Sequence, residues 1–138
     1  MSLDPFLPYG PLVESTVRIV TWNVWGRYGD DSRQSLIEEA LFNAQPDVVC
    51  LVESWSTTET DQPSRIAQRL GLDHALFVGE FVQDGWISGI GLVSRWPISN
   101  YDRMPLRTES EPLWTGDALY ALIDGERGPI QLAIAMCA

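Results

Sequence analysis

Two polar residues, Asn23 and Glu53, lie 30 residues apart, and each directly follows a run of strand-forming apolar residues. An amide oxygen and a carboxylate are hard oxygen ligands. They suit Mg2+, which takes one or two protein oxygens and leaves its other positions to water and phosphate. Both residues also have plainer interpretations. Asparagine ends many strands in ordinary turns, and Glu53 could be a surface or helix-capping acid, so the spacing alone leaves the question open.

The elements around these residues predict where the two side chains lie. Residues 17–22 predict a strand, and a helix follows from Asp31 or Ser32 to about Asn43. Residues 48–52 (VVCLV) are continuously apolar, which is typical of a parallel strand covered on both faces. Because the carboxyl ends of parallel neighbours meet at one sheet edge, we expect Asn23 and Glu53 to face the same crevice. The helix shows apolar residues at helical spacing: Leu36, Ile37, Ala40 and Leu41.

The rest of the chain predicts one more helix and then a series of strands. Pro63 suits the first turn of the helix, and Gly71 ends it. Strands are expected at 74–78 and 86–94, an edge strand at 101–106, and a hairpin from 118–123 and 130–136. Residues 1–15 contain three prolines and predict an irregular arm, so the expected domain is 16–138.

The composition indicates a globular protein with an acidic surface. The sequence is 45% hydrophobic and 20% charged, and 9 basic against 19 acidic residues give a formal net charge of −10. This charge argues against tight non-specific binding to nucleic acid, whose affinity comes largely from neutralising phosphates. A phosphate substrate held through a divalent cation remains compatible, because the cation supplies the positive charge.

The cellular location is predicted from features that the sequence lacks. Cys50 and Cys137 show no zinc-binding spacing, the N-terminus does not resemble a signal peptide, and no apolar run is long enough to span a membrane. These features predict a soluble cytoplasmic protein.

Three blocks together carry a family resemblance: VRIVTWNVWG at 17–26, PDVVCLVES at 46–54 and SGIGLVSRWPI at 88–98. In this order and spacing they resemble the endonuclease/exonuclease/phosphatase superfamily, well over 17–98 and more weakly through the hairpin. The resemblance implies an α/β fold: the N-terminal half of the four-layer DNase I-like sandwich, with one mixed sheet and helices on its outer face. It also implies a hydrolase of phosphate esters, in which Asn23 and Glu53 are catalytic and bind Mg2+, with Mn2+ as an alternative.

The sequence departs from the family pattern at three places. Apurinic endonucleases commonly have a tyrosine where Ile87 stands, and many nucleases have a polar residue where Trp25 stands. Both departures and the acidic charge point away from DNA repair. The third departure is that the sequence ends where a histidine, an Asp-x-Asn pair and a Ser-Asp-His motif would begin to appear. The resemblance implies that these motifs supply the general base and stabilise the transition state, and His74, the only histidine, matches none of them.

Two hypotheses therefore remain for the function. The first is a metal-dependent phosphodiesterase or phosphatase that is incomplete in this chain. The second is a non-catalytic remnant that binds a cation or docks on a partner through an exposed sheet face. Half of the fold would expose an apolar face, and we expect self-association or pairing with a missing C-terminal half. The residues expected on that face are Ile90, Leu92, Leu122 and Ile134.

The remaining polar and aromatic residues receive simpler interpretations. Arg95 is expected to be structural, and Asp84 and Asp117 are interpreted as loop acids without a role. Trp25 and Trp55 could line the mouth of a cleft or could only contribute to packing.

Overall fold

A mixed four-stranded sheet and two helices form the first part of the fold. A computed structural model describes residues 14–106 and 115–137. The predicted arm at 1–15 therefore lies almost wholly outside the described residues. The elements of this part are β1 (Ile19–Asn23), α1 (Ser32–Ala44), β2 (Val48–Ser56), α2 (Gln62–Leu70), β3 (His74–Val82) and β4 (Ile87–Ser94).

The strand order of the mixed sheet is β1-β2-β4-β3. β1 is parallel to β2, as predicted, whereas β4 is antiparallel to both β2 and β3. The predicted β-α-β unit and the α/β fold class are confirmed. β1 lies at one edge of the sheet.

The strands after β4 form a second, antiparallel sheet. It consists of β5 (Ile98–Pro105), β6 (Thr115–Gly125) and β7 (Gly128–Cys137) in the order β5-β6-β7. The predicted edge strand and hairpin are confirmed as β5 and as β6–β7. The sequence predicted only the mixed sheet, and the structure adds this second layer to it.

Two apolar layers cover the two faces of the mixed sheet. The layer under the helices consists of Val24, Ile37, Leu41, Val49, Leu51, Ile66, Ala67, Leu72 and Val93. The layer between the sheets consists of Val48, Cys50, Val52, Ile90, Leu92, Leu119, Ala121, Ile123 and Ile134. Alternate residues of β2 contribute to both layers, which explains why its sequence is continuously apolar. Burial raises the pKa of the Cys50 thiol to about 11, so this cysteine behaves as a packing residue.

The prediction that the inner face of the mixed sheet is exposed is wrong. Ile90, Leu92 and Ile134 are buried, because the three-stranded sheet packs on the face where they lie. Leu122 is half-buried, and the alternation of β6 gives the inter-sheet positions to Leu119, Ala121 and Ile123 instead. The remnant hypothesis therefore loses this sheet face as its docking surface.

The two helices differ in how closely they follow the sequence pattern. In α2, the Oδ1 atom of Asp61 accepts a hydrogen bond from the Ser64 backbone N–H at 2.8 Å, and Gly71 ends the helix in the left-handed conformation. In α1, Ile37 and Leu41 are buried, but Leu36 and Ala40 are exposed. Only a narrow stripe of this helix is therefore covered. Within the described residues, no helix is both long and apolar enough to cross a membrane.

Candidate functional site

Asn23 is the last residue of β1 and forms a turn there. Its backbone position pairs with Val52 of β2, and its Oδ1 atom accepts a hydrogen bond from the Trp25 backbone N–H at 3.0 Å. This is the Asx turn that the plainer interpretation expected. The turn uses one lone pair of the amide oxygen and orients the exposed side chain, so it is compatible with a role as a ligand.

Glu53 lies in a β-bulge, which the sequence did not predict. β2 continues to Ser56 rather than ending at Val52, and its register with β4 shifts between Leu51 and Ser54. Glu53 itself has a φ of 55°, in the left-handed region that a residue with a side chain rarely adopts. The bulge follows immediately after the pair formed by Asn23 and Val52, which is the last pair of the β1–β2 ladder. The structure therefore brings both predicted site residues to the same end of the neighbouring strands.

Backbone hydrogen bonds join the loop after β1 to this bulge. The Val24 N–H donates to the Val52 carbonyl at 2.9 Å, and the Gly26 N–H donates to the Glu53 carbonyl at 2.7 Å. These bonds fix the backbone of Glu53 from the β1 side. The bulge and the loop after Asn23 are thus one connected local structure.

A second group of charged residues lies near Glu53, and sequence reasoning missed it. Asp117 is not a loop acid as expected: it is buried in β6 and forms an ion pair with Arg103 of β5. Burial, together with the charges of Asp117 and Glu53, raises the pKa of Glu80 above its ordinary value, although the Asp117 backbone N–H and Arg103 oppose the shift. The Oε1 atom of Glu80 is buried without a hydrogen-bond partner among the described residues. No local motif signals this group, because its members come from three strands of two sheets.

The two tryptophans that could have lined a cleft have different environments. Trp55 is buried, and the Arg27 guanidinium lies over its ring at 4.8 Å from the centroid. Trp25 is 55% exposed and has a φ of 55°. Trp55 is therefore a packing residue that supports an arginine, whereas Trp25 lies on the rim of the site.

Arg95 and His74 lie at the opposite end of the mixed sheet. Arg95 pairs with Asp47 at 2.9 Å, in agreement with its expected structural role. His74 pairs with Ser94, which in turn pairs with Val48 at the beginning of β2. Five residues along a strand separate Val48 from Glu53, which is roughly 16 Å at about 3.3 Å per residue. His74 is therefore remote from the candidate site.

The residues at the carboxyl end of β1 and β2 can be compared with what a divalent cation requires. Asn23 and Glu53 offer amide and carboxylate oxygens, and Mg2+ is commonly held by only one or two such protein ligands. Among the described residues, no group of three or more histidine, cysteine or acidic side chains is arranged to hold a metal. The donor set therefore fits an open site that is completed by water and substrate, and it does not fit a closed cage.

Solved structures with the same fold are found from several organisms. The chain resembles an endonuclease/exonuclease/phosphatase family protein from Leptotrichia buccalis C-1013-b, with a TM-score of 0.72, 12% identity, and coverage of 89% of this chain and 55% of that one. It resembles the endonuclease/exonuclease/phosphatase from Beutenbergia cavernae DSM 12333, with a TM-score of 0.68, 25% identity, and coverage of 85% and 37%. It also resembles D. rerio TDP2 complexed with a single-strand DNA product, with a TM-score of 0.61, 20% identity, and coverage of 90% and 48%.

These likenesses establish the fold as a partial DNase I-like fold, since the chain spans between 37% and 55% of the length of these three relatives. A search of curated proteins finds no match. A sequence model of the endonuclease/exonuclease/phosphatase family, in contrast, matches residues 20–133. Because that match includes both predicted site residues and most of the sequence, this protein belongs to the endonuclease/exonuclease/phosphatase family.

Proposed function

We propose that this protein takes part in divalent-metal-dependent hydrolysis of a phosphate ester, with Asn23 and Glu53 as its ligands for Mg2+ or Mn2+. The bulge at Glu53 is the observation that most supports this function. A non-glycine residue in the left-handed region costs about 1–3 kcal/mol, and such residues cluster at functional sites. Here the strained residue is a carboxylate, and it follows the strand pair that ends at Asn23.

The Asn23 side chain and the Glu53 backbone are both held in place before any ligand arrives. The Asx turn fixes the Asn23 amide, and the Gly26 N–H fixes the Glu53 backbone. Such preorganisation lowers the conformational cost of binding. When bound, the metal polarises the phosphoryl group and offsets the negative charge that develops in the reaction. An acidic protein needs this contribution, because its net charge of −10 repels a phosphate substrate.

The group that activates the attacking water has to be different from His74. A general base must lie within hydrogen-bond reach of the proton that it removes, directly or through one water. His74 lies at the other end of the mixed sheet. In this proposal the chain supplies the cation-binding half of the site, and the proton acceptor comes from a C-terminal half or a partner subunit.

The cation site is tested first by paramagnetic broadening of backbone amide NMR signals with substoichiometric Mn2+. We expect the signals of residues 23–26 and 52–54 to broaden, and Glu53→Gln to abolish this effect. Glu59→Gln is the matched control, since Glu59 is an exposed acid in the turn just after β2. Equal broadening in the Glu53→Gln variant and the unmodified protein would refute the assignment.

Hydrolysis is tested with the protein at the length at which it occurs in its source cell. The substrates are bis-p-nitrophenyl phosphate and p-nitrophenyl phosphate, each with Mg2+ and with EDTA. We expect turnover that requires the metal and that Glu53→Gln lowers at least a hundredfold. Mn2+ binding at Glu53 without any turnover would instead support the cation-binding remnant.

A further inference from the structure

Two aromatic rings of the loop after β1 and a third from the connection between β3 and β4 lie beside the candidate cation site. The Trp25 and Tyr28 ring centroids are 5.3 Å apart, and the Tyr28 and Trp86 centroids are 5.5 Å apart in an edge-on arrangement. We call Trp25, Tyr28 and Trp86 the aromatic rim. Trp25 and Tyr28 are exposed even though each has a ring partner. An exposed, ordered tryptophan is a suitable platform for stacking a planar group.

The backbone around the rim is tightly held. Arg33 of α1 donates hydrogen bonds to the carbonyls of Val24 and Tyr28, and the Gly26 N–H donates to Glu53. A Cβ atom added at Gly26 would lie 2.5 Å from the Trp86 ring, so this ring packs directly against the loop backbone. The exposure of Trp25 is therefore a feature of a fixed loop.

Arg27, within the same loop, has hydrogen-bonding capacity that the fold does not use. Its guanidinium lies over the Trp55 ring, and among the described residues it has no hydrogen bond or ion pair. Arg95 and Arg103, by contrast, each pair with an aspartate. A guanidinium that stacks on an aromatic ring keeps its edge donors available, and their fork geometry matches phosphate oxygens.

A cavity of about 160 Å3 opens where Arg27 and Trp55 meet the start of α1. Arg33 and Arg65 also line it, so three cations converge there in a protein whose net charge is −10. Asp30 and Asp31 lie on another part of the wall, and Arg65 is 3.6 Å from Glu38. Arg65 is thus paired with an acid and Arg33 with backbone carbonyls, whereas Arg27 has neither kind of partner among the described residues.

We propose that Arg27 and the aromatic rim form a substrate subsite for a phosphate ester that contains a planar aromatic ring. Arg27 donates to a phosphate oxygen, and Trp25 stacks on the ring, which is either a nucleobase or a simple aryl group. This inference rests on the proposed phosphoester function and specifies its substrate class. The subsite adds affinity on the side of the site nearest to α1.

Binding without catalysis separates this inference from the proposed function. Adenosine 5′-monophosphate, phenyl phosphate, ribose 5-phosphate and inorganic phosphate are titrated in EDTA, and the dissociation constants are taken from NMR shifts of the tryptophan indole N–H signals. We expect the ring-containing phosphates to bind about tenfold more tightly than ribose 5-phosphate. Tight binding of the adenosine compound alone identifies a nucleobase subsite, and tight binding of both identifies a general aryl subsite. Each of these results supports the proposal.

Two variants and two matched controls assign the contacts. Trp25→Ala is expected to remove the tenfold preference for a ring, while Tyr101→Ala, at a residue that is 54% exposed on β5, leaves it intact. Arg27→Ala is expected to weaken all four ligands about tenfold. Arg69→Ala removes a comparable arginine, 4.2 Å from the Phe42 ring, and is expected to have no effect.

The proposal is overturned if ring-containing and ring-free phosphates bind equally, or if Trp25→Ala and Tyr101→Ala behave alike. Since no metal is present, failure of the Glu53 assignment would leave these binding results unchanged. Amide NMR spectra of each variant establish that it is folded. Arg27→Lys keeps the charge but loses the planar fork, so we expect it to restore binding only in part.

Discussion

The two ends of the mixed sheet differ in how fully their polar groups are hydrogen-bonded and in how strained their backbone is. At the amino-terminal end of β1 and β2, the Asp47 carboxylate accepts hydrogen bonds from the Arg18 backbone N–H at 2.8 Å and from Arg95 Nε at 2.9 Å. Arg18 Nη1 also donates to the Ala44 carbonyl at 3.0 Å. At the carboxyl end, Trp25 and Glu53 have left-handed backbone conformations, and Glu80 has a buried oxygen with no partner among the described residues.

Cavity size alone would have pointed to the wrong end. A cavity of about 470 Å3 lies at the amino-terminal end, lined by Arg18, Asp47 and Arg95 among others, whereas the cavity beside Arg27 measures about 160 Å3. In the larger cavity, the Asp47 carboxylate accepts hydrogen bonds from both Arg18 and Arg95. Unused hydrogen-bonding capacity and backbone strain persist only where the fold supports them, and they cluster at functional sites. The carboxyl end therefore has the features of a site, and the amino-terminal end has those of a structural clamp.

The largest effect on stability is expected for Gly26→Ala. The added Cβ would meet the Trp86 ring at 2.5 Å, and the φ of 55° is itself unfavourable for alanine. We expect a loss of about 3 kcal/mol in the free energy of unfolding, measured by urea denaturation. Gly85→Ala is the control: its φ is 78° but its Cβ would meet no atom within 4 Å, so a loss of only about 1 kcal/mol is expected. Equal losses would show that Trp86 does not pack on a rigid loop.

We expect pH to change the contributions to folding stability in opposite directions at the two ends of the mixed sheet. Burial works to raise the pKa of Asp47, but the Arg18 and Arg95 hydrogen bonds and charges outweigh it and hold the pKa below its ordinary value of 3.8. Its stabilisation is therefore complete above that pH and is lost as the pH falls below it. We expect Asp47→Asn to cost about 1–2 kcal/mol at pH 7 and progressively less below pH 3.8.

The matched variant at the other end is Glu80→Gln. The pKa of Glu80 is raised from 4.5, so its charged form opposes folding above that pH, and the penalty is relieved as the pH falls. We expect this variant to melt at a higher temperature than the unmodified protein at pH 7 and at the same temperature below pH 4.5. If Asp47→Asn and Glu80→Gln both stabilised or both destabilised the protein at pH 7, the two ends of the sheet would not differ as described.

The smallest expected effect is a gain in stability for Glu53→Gly. Glycine adopts a φ of 55° without strain, which offsets its larger conformational entropy in the unfolded chain, and we expect a gain of about 0.5–1 kcal/mol in thermal or urea unfolding. The same variant should lose Mn2+ binding. Gln45→Gly, at a φ of 49° where α1 ends, should give a similar gain and keep Mn2+ binding. A loss of stability for Glu53→Gly would mean that the carboxylate serves the fold.

Local patterns predicted the elements that position the site. The apolar run 48–52, the helix before it and the strand before that gave the β-α-β unit, and Pro63 and Gly71 marked the limits of α2. These signals depend on neighbours along the chain, such as a cap or an alternation of side chains, so they can be read from one segment at a time. The meeting of Asn23 and Glu53 at one end of two parallel strands followed from the same unit.

Sequence by itself thus determined the fold class, the family and the two residues at the end of the β1–β2 ladder. Only the tertiary structure decided that β5–β7 cover the inner face of the mixed sheet, that Glu53 lies in a strained bulge and that Asp117 is buried beside Arg103. It also decided that Arg95 and Arg103 pair with aspartates, whereas Arg27 lies over the Trp55 ring. The physical reason is that these features depend on contacts between segments far apart in the sequence. No local propensity specifies which distant side chain will supply the partner.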